Sequence, residues 1–389
     1  MAKKGNPGRR WHELAYRITR NLIVPYFSWR LNIKADKQPG LPAPYVVIAN
    51  HVTELDFFFI GKVFKEPLTF VAGEGLLRAK LLGSILTRLY GVIVKRKGTA
   101  DARTTMGILR RLKEGRNVCL FAEGNTTFDG RTGRIPEATG AMLKAVKAGL
   151  ITCRIEGGYF SMPRWGRGIR RGQTSCRVVN SYPRESLAQL SAGEINSLLK
   201  RDLQADAYAE QEKSLISFKG KKTAEGIEHA LYLCPGCGGQ GTVAGQDDKA
   251  VCSACNLTAV YSDTGFFKGR TPFPGIREWA DWQKDELEKK LRENGREKLL
   301  YDPEQELLIQ DAQGELKPYA VGKMGMNRIS LQVGEFECAV SDITGMEIYR
   351  KNTLLFTLRD GRHFQTKPAI GFNALKYRDA YRIITEQKG

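Results

Sequence analysis

The 389-residue sequence has no apolar run long enough to cross a membrane. Stretches such as Leu22–Phe27 and Tyr45–Ala49 fall well short of the roughly 18 to 20 residues that a spanning helix needs. The first residues, MAKKGNPGRRW, hold neither the apolar segment of a signal peptide nor the glycine that myristoylation requires, so a cytoplasmic location is expected. In that reducing compartment the eight cysteines are expected to be thiols or metal ligands rather than disulfides. Internal repeats and low-complexity tracts are lacking, and a 42% apolar, 9% aromatic composition excludes a disordered or fibrous chain. Histidine is scarce, with four in all.

Acidic side chains are scarce in one half only. Residues 1–200 carry 34 basic against 14 acidic side chains, whereas residues 201–389 carry 27 against 28, and the net charge is +19. Nucleic acid, an anionic membrane face and a polyanionic small substrate all fit such a basic half, because each exploits the same long-range field.

The length suggests two or three domains. Residues 1–35 form an amphipathic, aromatic-ended segment suited to a membrane interface, with Pro25 expected to break or kink its helix; a helix capping its own domain fits the pattern as well. Residues 36–218 alternate short apolar runs at 45–50, 69–73, 92–94, 117–124 and 151–158 with helix candidates at 101–114 and 136–148. This alternation predicts an α/β domain with a mostly parallel sheet flanked by helices and functional residues at the carboxyl ends of its strands. Ser191-Ala-Gly-Glu194 has capping-box spacing and opens a closing helix running to about Lys213. Beyond a Gly- and Lys-rich linker come a cysteine cluster (227–265), a charged connecting helix (270–296) and a β-rich tail (300–389), with Ile329, Leu331 and Val333 on one face, an Asp360-Gly361 hairpin turn and a final helix over 373–386.

The motif Asn50-His51-Val-Thr-Glu-Leu-Asp56 lies where a buried strand meets a helix. A carboxylate five residues after His51 is able to reach its Nδ1, fixing the tautomer and raising the basicity of the imidazole. A structural histidine capping the helix has the same spacing. GVIVKR (91–96) and FAEGNTTFDG (121–130) follow in order, each on a strand end. Together the three blocks resemble the lysophosphatidic-acid-type acyltransferase family of glycerolipid enzymes over roughly residues 10–215.

That resemblance implies an α/β acyltransferase fold and transfer of a fatty acyl chain from a thioester to a hydroxyl of a lyso-lipid. It makes His51 the general base and Asp56 its orienting carboxylate, with Arg96, Glu123, Gly124, Asn125 and Thr126 at the acceptor site. The implied donor is an acyl carrier protein or acyl-coenzyme A, and the implied setting is the inner face of the cell membrane, an anionic surface on which the protein is peripheral. The second block is one residue short, so Lys97 competes with Arg96 for the cationic place. In the third, Ala122 replaces proline and Asn125-Thr126 replaces Thr-Arg, which makes a neutral or bulkier headgroup as plausible as lysophosphatidic acid. Arg164, Arg167, Arg170 and Arg171 around Trp165 suit a phospholipid surface, donor phosphates or an ordinary basic loop.

Cys234-Pro-Gly-Cys237 and Cys252-Ser-Ala-Cys255 present four thiolates in two matched knuckles, the pattern of a structural zinc ribbon. From His229 to Tyr261 one lysine faces Asp247 and Asp248, the wrong balance for a phosphate-binding surface, so no nucleic acid is expected there. A nucleic-acid-binding zinc protein and an inactive acyltransferase-like membrane scaffold remain the alternatives. Residues 329–386 look similar to small pleckstrin-homology-like β domains, and Cys119, Cys153, Cys176 and Cys338 are expected to pack as small apolar residues.

Overall fold

The computed structural model describes residues 7–73, 85, 87–95, 102–293, 299–311, 314–367 and 369–386. The chain divides into two compact units, Met1–Arg164 with Gly168–Gly220, and Trp165–Arg167 with Lys221–Gly389.

Among the described residues the first unit has seven strands: β1 (Ile33–Ala35), β2 (Tyr45–Ala49), β3 (Leu68–Gly73), β4 (Ile93–Lys95), β5 (Asn117–Phe121), β6 (Gly149–Glu156) and β7 (Thr174–Tyr182). Their order in the sheet is β1-β7-β6-β2-β5-β3-β4. Every neighbouring pair is parallel except β6 and β7, which run antiparallel. The apolar runs therefore do form the strands of a mostly parallel sheet, but those at β3 and β4 are only partly buried, with Val94 exposed.

Helices cover both faces: α1 (Pro7–Ile18), α2 (Val24–Arg30), α3 (Asp56–Val63), α4 (Ala102–Lys113), α5 (Ala138–Val146), α6 (Ala192–Leu203) and α7 (Ala207–Ser214). Alternation along β2 sorts the two cores, because successive side chains on a strand point to opposite faces. Tyr45, Val47 and Ala49 pack with Tyr16 of α1 and Phe59, Ile60 and Val63 of α3. Val46 and Ile48 pack with Ile108 of α4, Leu143 of α5 and Leu199 of α6.

Pro25 neither ends the N-terminal helix nor leaves it regular. Thr19–Ile23 forms a π-turn between α1 and α2, and the proline, lacking an N–H, sits in the first turn of α2, where no intrahelical donor is needed. One side of this segment is buried through His12, Tyr16 and Val24, while Trp11, Leu14, Ile18, Leu22, Ile23, Tyr26 and Trp29 are exposed. The closing helix expected over 191–213 is two helices. Ser191 and Glu194 form the reciprocal capping box of α6, and Asp206 starts α7 by accepting from Tyr208 N and Ala209 N.

In the second unit, strands β8 (Val243–Gln246), β9 (Lys249–Cys252), β10 (Thr258–Tyr261) and β11 (Phe267–Gly269) form a small antiparallel sheet. Helix α8 (Ile276–Glu293) follows and buries Trp279, Leu287 and Leu291. Seven antiparallel strands come next, from β12 (Leu300–Gln310) and β13 (Leu316–Met326) through β14 (Ser330–Val333), β15 (Phe336–Ala339), β16 (Ile343–Tyr349) and β17 (Thr353–Leu358) to β18 (His363–Thr366). Their order is β15-β14-β13-β12-β18-β17-β16, and α9 (Ala374–Glu386) follows them. Leu331 and Val333 are buried as read from the sequence, but Ile329 precedes β14 and is exposed.

Trp165 corrects the reading of the arginine-rich run as a membrane-facing surface. It is 0% exposed and meets Tyr261 edge-on inside the second unit, while Arg164 and Arg170 are buried too. The four cysteines expected to pack as apolar residues are free and buried.

Candidate active site

Strands β2 and β5 are neighbours in register, with Ala49 opposite Phe121, so the segments leaving their carboxyl ends lie side by side. Open parallel sheets bind ligands at such a place. Asn50 secures the exit from β2: its amide donates to Ile155 O at 3.0 Å and accepts from Ile155 N at 2.7 Å. His51 follows directly.

Asp56, the first residue of α3, is 1% exposed and fully used. Its Oδ1 accepts from Thr53 N (3.0 Å) and Thr53 Oγ1 (2.8 Å), and its Oδ2 accepts from Val52 N (2.7 Å) and meets His51 Nδ1 at 2.8 Å. Backbone donors thus hold the carboxylate, and the carboxylate holds the ring. A carboxylate beside Nδ1 keeps the proton there and leaves Nε2 as the basic nitrogen. The imidazole lies flat against Phe121, with ring centroids 4.5 Å apart and planes 15° from parallel, and its side chain keeps 21% of its surface exposed.

The segment after β5 wraps around the same histidine. Glu123 Oε1 accepts from His51 N at 2.8 Å and Oε2 from Gly133 N at 2.5 Å. Thr127 N donates to His51 O at 3.3 Å. The carboxyl of Glu123 is turned inward although the residue keeps some surface; burial pushes it up to about 8, against the two backbone N–H groups that favour its ionised form. Gly124 turns the chain with φ +71°, a left-handed conformation that suits glycine. Asn125 and Thr126 come next, half-buried. Arg164 anchors this stretch from below, donating to Thr126 O at 2.8 Å with its guanidinium 4.3 Å from the Phe128 ring centre.

His51, Asp56, Glu123, Gly124, Asn125 and Thr126 are therefore gathered at the ends of β2 and β5. Arg96 and its competitor Lys97 lie outside the described residues. A cation that sequence reasoning missed is Lys95, at the end of β4, whose Nζ is 3.9 Å from where a Cβ on Gly124 would sit. The shortened spacing of the second block was its only signal. A cavity of about 450 Å³ elsewhere in this unit, lined by residues including Lys34, Glu156, Arg177, Glu210 and Phe218, contains none of these groups.

The four knuckle cysteines converge in the second unit. Their Sγ atoms all lie within 4.8 Å of one another, with Cys234 to Cys255 at 3.6 Å and Cys237 to Cys252 at 3.8 Å. Sulfurs about 2.3 Å from a tetrahedral zinc lie about 3.8 Å apart, so the donor set fits that ion. The knuckles are built alike, with Gly238 N donating to Cys234 O (2.8 Å) and Asn256 N to Cys252 O (3.0 Å).

The sheet and its helix layers make an α/β domain that carries a histidine–carboxylate pair at its strand ends. Residues 32–156 match the family model described as Acyltransferase. Among similar curated proteins are an uncharacterised acyltransferase of Schizosaccharomyces pombe, 27% identical over 160 residues, and the 1-acyl-sn-glycerol-3-phosphate acyltransferase of Saccharomyces cerevisiae, 25% identical over 172. These alignments cover 40% and 43% of this chain and 56% of each relative. The lyso-ornithine lipid O-acyltransferase of Pseudomonas aeruginosa is 33% identical over 102 residues, 26% of this chain and 36% of that protein. The chain thus spans little more than half the length of the first two relatives. Among solved structures, the 1-acyl-sn-glycerophosphate acyltransferase PlsC of Thermotoga maritima aligns with 54% of this chain and 85% of its own, at 17% identity and a TM-score of 0.41.

Proposed function

We propose that the protein is a membrane-associated O-acyltransferase that moves a fatty acyl chain from a thioester, on acyl carrier protein or coenzyme A, to a hydroxyl of a lyso-lipid. The observation that carries this reading is the 2.8 Å contact between His51 Nδ1 and the buried, fully hydrogen-bonded Asp56 at the end of a parallel strand. His51 Nε2 takes the proton of the acceptor hydroxyl as its oxygen attacks the thioester carbonyl; the C–S bond then breaks and the thiolate leaves with that proton. The product is an ester and a free thiol. General-base catalysis contributes on the order of 10² to 10⁴, and fixed positioning of the two substrates supplies much of the remainder.

Thr126, Asn125 and Gly124 line the approach of the acceptor, and Lys95 together with Arg96 supplies cations for an anionic headgroup. The S. cerevisiae relative is named for a phosphate-bearing acceptor and the P. aeruginosa relative for an ornithine lipid. Because Asn125-Thr126 stands where the family block has Thr-Arg, both acceptor classes belong in the test. The exposed apolar and aromatic side chains between Trp11 and Trp29, beside the basic residues of the first half, support peripheral binding to the anionic inner face of the cell membrane. Helices of the described residues include none long and apolar enough to span it. Cys234, Cys237, Cys252 and Cys255 hold a structural zinc in this reading.

The test is mass spectrometry of lipids after incubation with a mixed lyso-lipid panel and both donor types, for wild type and His51→Ala. A new diacyl product that disappears in the folded variant is expected. Equal turnover by the two proteins would overturn the proposal.

A further inference from the structure

The family resemblance places Glu123 among the acceptor contacts, but its carboxyl group is already engaged on both sides. One oxygen accepts from the backbone N–H of His51 at 2.8 Å and the other from the backbone N–H of Gly133 at 2.5 Å. The fit at Gly133 is tight, since a Cβ there would lie 3.1 Å from Oε2. Both oxygens are thus committed to backbone donors before any acceptor arrives, the His51 bond half-buried and the Gly133 bond at the surface.

The partners of the histidine point the same way. Its N–H goes to Glu123, its carbonyl accepts from Thr127 N, its ring rests on Phe121 and its Nδ1 meets Asp56. Three of these four partners belong to β5 and the segment that follows it. Asp56 sets the tautomer of the ring, whereas nothing on the ring itself fixes the main chain from which it projects. Asn50 and Asp56 anchor the residues on either side, while the N–H and carbonyl of His51 itself are held by Glu123 and Thr127, and of the two only Glu123 also reaches across to Gly133, ten residues further along.

We infer that Glu123 is a positioning residue: it ties the peptide of His51 to the two ends of the 123–133 segment and thereby fixes the imidazole relative to the acceptor-binding turn, without touching either substrate. The inference rests on the reading of His51 as the base. Displacing a catalytic group by about 1 Å costs on the order of 10² in rate, so loosening this clamp acts on turnover and leaves acceptor affinity alone. Glutamine at 123 keeps the size of the side chain but turns an NH₂ group toward one of the two N–H donors. Aspartate keeps the carboxyl group and is too short to span both.

Glu123→Gln and Glu123→Asp are to be compared with wild type in steady-state transfer over a range of acceptor concentrations. Both are expected to lower kcat by about 10- to 100-fold with the acceptor KM within about twofold, and with circular dichroism unchanged. A second readout is independent of turnover: the ring-nitrogen resonances of His51, identified among the four histidines by their loss in His51→Ala. A single Nδ1-protonated tautomer is expected in wild type and a broadened or mixed signal in Glu123→Gln. A raised acceptor KM with kcat preserved, or a variant with wild-type kinetics and an unchanged His51 signal, would overturn the clamp. Failure of the His51 reading looks different, since His51→Ala itself would then remain active whatever the state of Glu123.

Discussion

Replacing Asp56 by asparagine separates the two things that its carboxylate does. The four contacts it makes divide evenly, with Val52 N and His51 Nδ1 on Oδ2 and Thr53 N and Thr53 Oγ1 on Oδ1. An amide fits this cradle in two orientations, and in each its NH₂ faces a backbone N–H, that of Val52 or that of Thr53. One unmatched buried donor costs about 1–3 kcal/mol, which for a unit of this size lowers Tm by roughly 2 to 12 °C. In one orientation the NH₂ also donates to His51 Nδ1 and forces the ring proton onto Nε2, abolishing the base. In the other the tautomer survives, but a neutral carbonyl replaces the carboxylate beside the imidazolium that forms during transfer. Either way kcat is expected to fall by about 10² to 10⁴, with the acceptor KM little changed. Release of free thiol from the donor in detergent micelles, followed beside a thermal melt, reads both effects. The His51→Ala/Asp56→Asn double variant is expected to be no slower than His51→Ala, because the two side chains act as one unit. A folded Asp56→Asn enzyme with wild-type kcat, or a loss confined to KM, would refute the general-base assignment.

Three further expectations concern other parts of the molecule. Burial, reinforced by Glu156, pushes the Glu210 carboxyl from 4.5 up to about 7; the folded chain then binds this proton more tightly than the unfolded chain, so stability falls as pH rises from about 4.5 through 7. Glu210→Gln is expected to melt later than wild type at pH 8 and together with it at pH 4, and the reverse order would show the sign to be wrong. Metal analysis is expected to find one zinc per chain, and Cys234→Ser to lose it and to become protease-sensitive between residues 227 and 265, because metal binding at such sites supplies on the order of 10 kcal/mol of folding free energy; a metal-free wild type with full protease resistance speaks against the site. Leu22→Ser/Trp29→Ser removes two of the most exposed apolar side chains, at 70% and 59%. Each is worth about 1.5–3 kcal/mol when fully buried, so cosedimentation with anionic vesicles is expected to drop at least about tenfold, and unchanged binding would remove this face from the membrane contact.

Much of the first unit was legible because its central strands are largely buried and so read as apolar runs: Tyr45–Ala49 and Val118–Phe121 both appear in the sequence as such. The capping box at Ser191 and the paired cysteine knuckles were legible for a related reason, since their chemistry is local. What escaped depended on distant partners. The direction of β7 is set by its pairing with β6, which periodicity does not encode. The break between α6 and α7 turns on Asp206 serving as a cap rather than a surface charge. Trp165 reads as an interfacial anchor among arginines until its burial against Tyr261 is seen. At the site, residue types and spacing pointed to His51 and Asp56, five positions apart on one turn. The role of Glu123 was hidden because its partners are backbone atoms 72 and 10 residues away, which no motif records.

The way in which His51 is held bears on how such an enzyme diversifies. Its described hydrogen bonds run through Asp56, through the carboxyl of Glu123 and through the main chain of Thr127, so the side chain of Thr126, between the last two, has no part in them. In the proposed acceptor site, substitutions at that position would retune which headgroup is welcomed while the proton-transfer apparatus stays as it is. Acceptor preference and reactivity are then separately evolvable traits, and a library confined to the acceptor-facing positions should yield altered lipid products without a search for restored catalysis.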